Sequence, residues 1–153
     1  MRVVVVAVGK PKNAALATAI GDYETRAARY WPLDVHEVRE ERATGLSPAQ
    51  VREREGERIS ARTESIRIVA CDPGGREFTS EKFAAWLQGE RDADRDFAFV
   101  IGGAFGLADS LLKRASMRLS LAPWTLPHEL ARLVLAEQLY RAGTIVRGEP
   151  YHK

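Results

Sequence analysis

The chain has 153 residues, 45% of them hydrophobic and 29% charged, which suits one globular domain over 1–153 and excludes a disordered polypeptide. A single cysteine, Cys71, excludes an internal disulfide and a cysteine-based zinc site, and three scattered histidines have no metal-ligand spacing, so no metal is expected. The formal net charge of +2 writes no broad polyanion-binding field into the composition; arginine, at 18 against 5 lysines, favours planar contact with phosphate or carboxylate, but a plain bias toward Arg-rich coding accounts for the excess better.

The first segment, "MRVVVVAVGKPK", is too short in apolar residues for a secretory h-region or the ~20 residues of a membrane span, so a cytoplasmic protein with no membrane partner is expected. Its Val3 to Val8 run reads as a strand covered on both faces in a parallel sheet. A helix follows from about Asn13 to Tyr30, with Leu16, Ile20, Tyr23 and Ala27 on one face. "PLDVHEVRE" alternates as a second strand nearer an edge, with Leu33 and Val35 inward and Glu37 turned outward. Ser47-Pro48 opens a highly charged helix to about Thr63, and Ile66 to Cys71 make a third strand. "DPGG" is a turn, because Pro fixes φ and Gly permits positive φ.

Thr79 to Leu87 reads as the next helix, "FAFVIGG" as the fourth strand, Ala108 to Ala115 as a short helix and "MRLSLA" as the fifth strand. Pro127 starts a closing helix that runs to about Ala142. Alternating strands and helices predict an α/β fold with a mostly parallel sheet flanked by helices, and a ligand belongs at the loops after the strand ends.

Several stretches could carry chemistry. Glycines 102, 103 and 106 follow a buried strand, where missing side chains let a ligand approach the backbone, but G-G-x-x-G is neither a dinucleotide fingerprint nor a P-loop. Cys71 and Ser120 lie in no nucleophile-elbow sequence, which argues against covalent catalysis. Arg54, Arg58 and Arg62 make one row on the charged helix, and the interleaved Glu53, Glu55 and Glu57 favour a solvated, salt-bridged face over a phosphate site.

The closing helix carries two apolar stripes at roughly 100° per residue. Leu130, Leu133 and Val134 form one, with Glu137 and Arg141 on the same side, and Ala131, Leu135, Leu139 and Ala142 form the other. Two stripes need two partners, so one is expected to meet the chain's own sheet and the other a second copy in a homodimer. The Glu137–Arg141 spacing suits an ion pair that is either a structural bridge or part of a polar site. Arg147, Tyr151, His152 and Lys153 make a donor-rich, aromatic tail suited to a planar anionic ligand or to simple docking.

Taken together, "FVIGGAFGL", "LSLAPWTLPHELARLVLAEQLYRA" and the terminal "PYHK" resemble the small SPOUT-class methyltransferases that modify pseudouridine in large-subunit ribosomal RNA. The amino-terminal "VVVVAVGK" and the length agree, so the resemblance covers the whole chain. It implies an S-adenosylmethionine-dependent enzyme that needs no metal, a homodimer, a carboxy-terminal trefoil knot, and methyl transfer to N3 of the base on the assembled ribosome. It places the cofactor against Cys71, Asp72 and Gly103 and within the loop Ser120, Leu121, Ala122, Pro123, Trp124 and Thr125, and it makes Arg141, Tyr151 and His152 the reactive residues. Cys71, where the family pattern has a larger aliphatic residue, and "APW" at 122–124 depart from that pattern. A non-enzymatic RNA-binding module and a methyltransferase with a small-molecule substrate are the alternatives.

Overall fold

A computed structural model describes all residues, 1–153. Ten elements alternate along the chain: β1 Val3–Val8, α1 Ala14–Ala27, β2 Leu33–Val38, α2 Pro48–Arg62, β3 Arg67–Glu77, α3 Ser80–Asp92, β4 Phe97–Ile101, α4 Asp109–Arg114, β5 Met117–Ser120 and α5 His128–Val146. Local chemistry sets the helix starts. Asn13 accepts from the Leu16 amide at 3.0 Å, Ser47 and Gln50 form a reciprocal capping box, and Thr79 accepts from the Lys82 amide at 3.2 Å.

The strands form one parallel sheet in the order β2-β1-β4-β3-β5, with β2 at an edge as expected. Every residue of β1 is buried because the strand is covered on both sides. Val3, Val5 and Ala7 point with Phe97, Phe99 and Ile101 into a core shared with α1, α3 and α5. Val4, Val6 and Val8 point with Ala98 and Val100 to the opposite core, which Ile59 of α2 and Leu111 of α4 complete. The connections after β3 and β4 leave toward opposite faces, and a crevice opens where they part.

The turn expected at "DPGG" is an excursion within β3. Cys71 and Arg76 both register with Leu119 of β5, so the chain loops out between them and then resumes the strand to Glu77. Gly75 permits that return: a Cβ there would lie 2.6 Å from the Arg118 carbonyl carbon and 2.7 Å from its oxygen. Backbone crowding, invisible in the turn signal, decides this position.

The closing helix extends to Val146 and lies between α1 and α3. Leu135, Leu139 and Ala142 are buried in the chain's own core, and the Trp31 indole N–H donates to the Leu139 carbonyl at 2.8 Å. The stripe left at the surface is Leu130, Leu133 and Val134, with Leu130 37% exposed. Glu37 does not face solvent freely: with Glu24 it accepts from the buried Arg132, at 2.7 Å in each case. Of the arginine row, Arg58 pairs with Glu41 and donates to the Arg39 carbonyl at 2.9 Å, while Arg54 lies 3.9 Å from Glu41. Both arginines are salt-bridged, but to Glu41 from the segment after β2 and not to the interleaved Glu53, Glu55 and Glu57.

Gly75→Ala is expected to lower unfolding stability by about 1–3 kcal/mol, because the obstacle is backbone. Gly89→Ala, in α3 with nothing within 4 Å of the added Cβ, is expected to raise it by about 0.5–1 kcal/mol. Denaturant titration of the two variants checks the pair.

Candidate active site

A cleft of about 600 Å³, counted with its open mouth, lies at the carboxyl ends of β3, β4 and β5. Cys71, Asp72 and Pro73 line it from β3, Ile101 to Ala104 and Gly106 from the turn after β4, and Leu121, Ala122, Trp124, Thr125 and Leu126 from the loop after β5. His128 and Ala131, at the start of α5, close one wall. Three strand ends therefore converge where an open α/β sheet holds its ligand.

The glycine turn is tight for internal reasons. Gly106 donates its amide to the Gly103 carbonyl at 3.1 Å and has φ +81°. A Cβ on Gly102 would overlap the Gly106 backbone, and one on Gly103 would lie 2.6 Å from Glu55 Oε2 and 3.1 Å from Val8 Cγ1. A side chain at 103 thus points beneath the turn and not into the cleft, which corrects the expectation that Gly103 clears space for a ligand directly.

Cys71 serves as a small apolar wall. Burial, with Asp72 adding to it, pushes the thiol up to about 12, so it carries no thiolate and no nucleophile at neutral pH. That chemistry accommodates the departure at this position. Asp72 accepts from Arg118 Nε at 3.2 Å, pairs with its Nη2, and accepts from the Gly74 amide at 3.0 Å. Ser120 and Pro123 do not line the cleft. The Ser120 hydroxyl donates to the Ala122 carbonyl at 2.7 Å, shaping the loop, and the residue faces a neighbouring groove with Phe78, Phe83 and Val134. Trp124 is at the cleft rim and 78% exposed.

Arg141, Tyr151 and His152 come together elsewhere, around Glu137. Glu137 Oε1 accepts from Arg141 Nε at 3.0 Å and Nη2 at 2.6 Å and from the Tyr151 hydroxyl at 3.0 Å. Its other oxygen accepts from Gln138 at 2.8 Å. Arg141 also stacks 4.8 Å from the Tyr151 ring centroid. Because a guanidinium only donates, the Arg141 Nη1 to His152 Nδ1 contact at 3.2 Å makes Nδ1 an acceptor. The neutral imidazole then carries its proton on Nε2, which donates to Glu81 Oε1 at 3.0 Å. Burial, followed by contacts with Tyr23 and Glu137, raises the Tyr151 phenol above its ordinary value, so it acts as a donor and not as a phenolate.

The Glu137–Arg141 ion pair expected from the spacing is present, and it gathers Tyr151 and His152 around it, with N–H bonds to spare on Arg141. This cluster lines no part of the cleft. At 1.5 Å rise per residue, Arg141 stands about 15 Å along α5 from Ala131. Sequence reasoning missed Glu81, whose place in the first turn of α3 reads as ordinary helix capping, and Glu55, which the charged pattern assigned to solvent.

The Glu81 carboxyl is held down at about 2, first by its own backbone amide, then by His152 and Thr79. A lowered carboxyl contributes stability above its ordinary value near 4.5 and loses it as pH falls toward 2. Glu81→Gln is therefore expected to flatten the acid limb of the stability curve between about pH 4.5 and 2. His152→Ala should flatten it less, because the backbone amide is the largest cause; thermal melts across that range check the order.

Comparison with known proteins agrees over the whole chain. A family model described as "Predicted SPOUT methyltransferase" matches residues 1–152. The chain is similar to proteins named ribosomal RNA large subunit methyltransferase H, at 62% identity in Gemmatimonas aurantiaca, 46% in an Anaeromyxobacter species and 44% in Carboxydothermus hydrogenoformans. Each match covers 100% of both chains. Among solved structures, a probable methylase family protein from Haemophilus influenzae aligns with TM-score 0.56 and 14% identity, over 99% of this chain and 70% of that one. A probable methyltransferase from Bordetella pertussis aligns with TM-score 0.56 and 16% identity, over 93% and 94%. These two support the fold alone.

Proposed function

The chain belongs to the ribosomal RNA large subunit methyltransferase H family of SPOUT methyltransferases, and from that membership we propose that it transfers the methyl group of S-adenosylmethionine to N3 of a pseudouridine in large-subunit ribosomal RNA. The observation that carries the reading is the division of the chemistry between two places on one chain. An open cleft lies at one end of α5 and a cationic, aromatic cluster at the other.

The cleft suits the cofactor. Ile101, Leu121, Leu126 and Ala131 offer apolar surface for an adenine, and backbone groups of the 102–106 and 121–126 segments offer directed polar contacts. When bound, S-adenosylmethionine supplies an electrophilic methyl on its sulfonium. The protein's own residues must then deal with the imide nitrogen, which is a poor nucleophile while it carries a proton. Arg141 places a permanent cation where negative charge develops on the base, and Glu137 fixes its orientation. His152 presents Nδ1 toward Arg141 with its tautomer set by Glu81, and Tyr151, its hydroxyl given to Glu137, adds an aromatic face.

We read the active unit as a homodimer in which the Leu130, Leu133 and Val134 face is covered by a second copy, so that the tail cluster of one protomer reaches the cleft of the other. A carboxy-terminal trefoil knot around the cleft belongs to the same reading. The modest net charge favours an assembled ribosome over free RNA as the substrate.

A chain ending at Pro150 is expected to dimerise and bind S-adenosylmethionine normally while single-turnover methyl transfer to unmodified ribosomes falls by about 100-fold or more. Arg141→Ala should fall at least as far. Full activity in the truncated chain would reduce the tail to a packing strip. Leu133→Glu should give a folded, inactive monomer in sedimentation, whereas Leu135→Glu or Leu139→Glu should unfold the chain, since both leucines are 1% exposed in its own core. An active wild-type monomer would overturn the shared site.

A further inference from the structure

Glu55 sits on the inward face of α2, one turn from Val51 and one turn from Ile59, all three buried, with Glu55 only 2% exposed. The next residue, Gly56, packs so closely that an added Cβ would lie 3.0 Å from that of Ala108. This is a position for an apolar side chain. A carboxylate there is a costly choice unless a donor repays its lost hydration. Yet Glu55 Oε2 has no hydrogen-bond partner.

What the carboxylate does face is the cleft's glycine turn from below. An added Cβ on Gly103 would lie 2.6 Å from Oε2 and 3.0 Å from Oε1, so the carboxylate fills the space beneath Gly103 that a side chain there would take, directly behind the turn that lines the ligand site. Any side chain at position 103 would hold the two apart. We propose that Glu55 is a positioning residue for this cleft: its carboxylate is the acceptor onto which the backbone amides of the 102–106 turn close when S-adenosylmethionine binds. The inference rests on reading the cleft as the cofactor site. An ionised Glu55 also supplies negative charge one layer behind a ligand that carries a sulfonium and an ammonium.

The surroundings bear on its protonation. Glu40 and Glu41, from the segment after β2, and Arg58, on its own helix, are the charged groups that act on it, while Val8 of β1 and the glycine turn contribute none. Burial is the largest influence and raises its carboxyl above the ordinary value, opposed by the Glu41 backbone amide and Arg58. A raised carboxyl favours the folded state at low pH and withdraws that support as pH rises through its own value.

The test compares wild type with Glu55→Gln, which keeps an acceptor without charge, and Glu55→Leu, which keeps neither. Calorimetric affinity for S-adenosylmethionine should fall in the order Glu, Gln, Leu, by about tenfold or more at Leu, as loss of a hydrogen bond to a charged group requires. Melting temperature of the cofactor-free protein at pH 7 should run in the opposite order, with Leu highest. Wild-type affinity should also weaken as pH falls below 7 by more than that of Glu55→Gln, which has no carboxyl to protonate. Unchanged affinity in the folded Gln and Leu variants, or stability falling in step with affinity, would overturn the proposal by leaving Glu55 a structural residue. Failure of wild type to bind S-adenosylmethionine would instead overturn the cofactor reading of the cleft, and this inference with it.

Discussion

The docking of α5 between α1 and α3 is the constraint on which the rest of the molecule depends. It is fixed at two levels. The Trp31 indole holds the helix along its axis through the Leu139 carbonyl, and Gly143 lets the Tyr30 ring approach where any Cβ would overlap it. Arg132 then fixes rotation, donating to Glu24 on α1 and Glu37 on β2 from a nearly closed pocket. Desolvation of three charges offsets much of their attraction, so the network contributes orientation more than net stability. That rotation aims His128 and Ala131 at the cleft and turns Leu130, Leu133, Glu137 and Arg141 outward.

The same use of guanidinium groups explains the arginine bias. Arg91 stacks 4.1 Å from the Trp31 ring centroid and donates to the Tyr30 carbonyl at 2.5 Å. Arg67 pairs with Glu90 at 2.6 Å, Arg114 bonds Thr63, and Arg147 lies over the Tyr30 ring. These planar, multiply donating side chains staple one element to the next, a role that lysine fills poorly. Cations engaged this way do not form an open field for RNA.

Element order and layer assignment were legible in the sequence because they depend on short-range pattern. Val3 to Val8 could be buried on both sides only in a covered parallel sheet, and Asn13, Ser47 and Thr79 are capping residues at the starts of their helices. What stayed hidden depends on contacts between distant segments. "DPGG" has turn chemistry, yet only the approach of Arg118 and Leu119 to Gly75 brings the chain back into the sheet. Glu37 and Glu55 look solvent-facing in any charged window, and a partner 95 residues away or a glycine turn makes them interior. The resemblance gathered Arg141, Tyr151 and His152 into one site, but their separation from the cleft needed the helix to be placed.

That separation bears on why so small a chain would act as a pair. A docked helix of 19 residues is about 28 Å long and stiff, so the two ends of α5 cannot fold onto each other within one protomer. A two-fold axis crossing the exposed Leu130, Leu133 and Val134 stripe at right angles would set two copies of α5 antiparallel. The carboxyl end of each would then lie beside the amino end of its partner, and each cleft would gain an Arg141 cluster from the other chain. On the proposed arrangement the apolar stripe and the charged pair farther along the same face would have one explanation: the leucines would hold the copies together, and that contact would carry the polar residues to the partner's cleft.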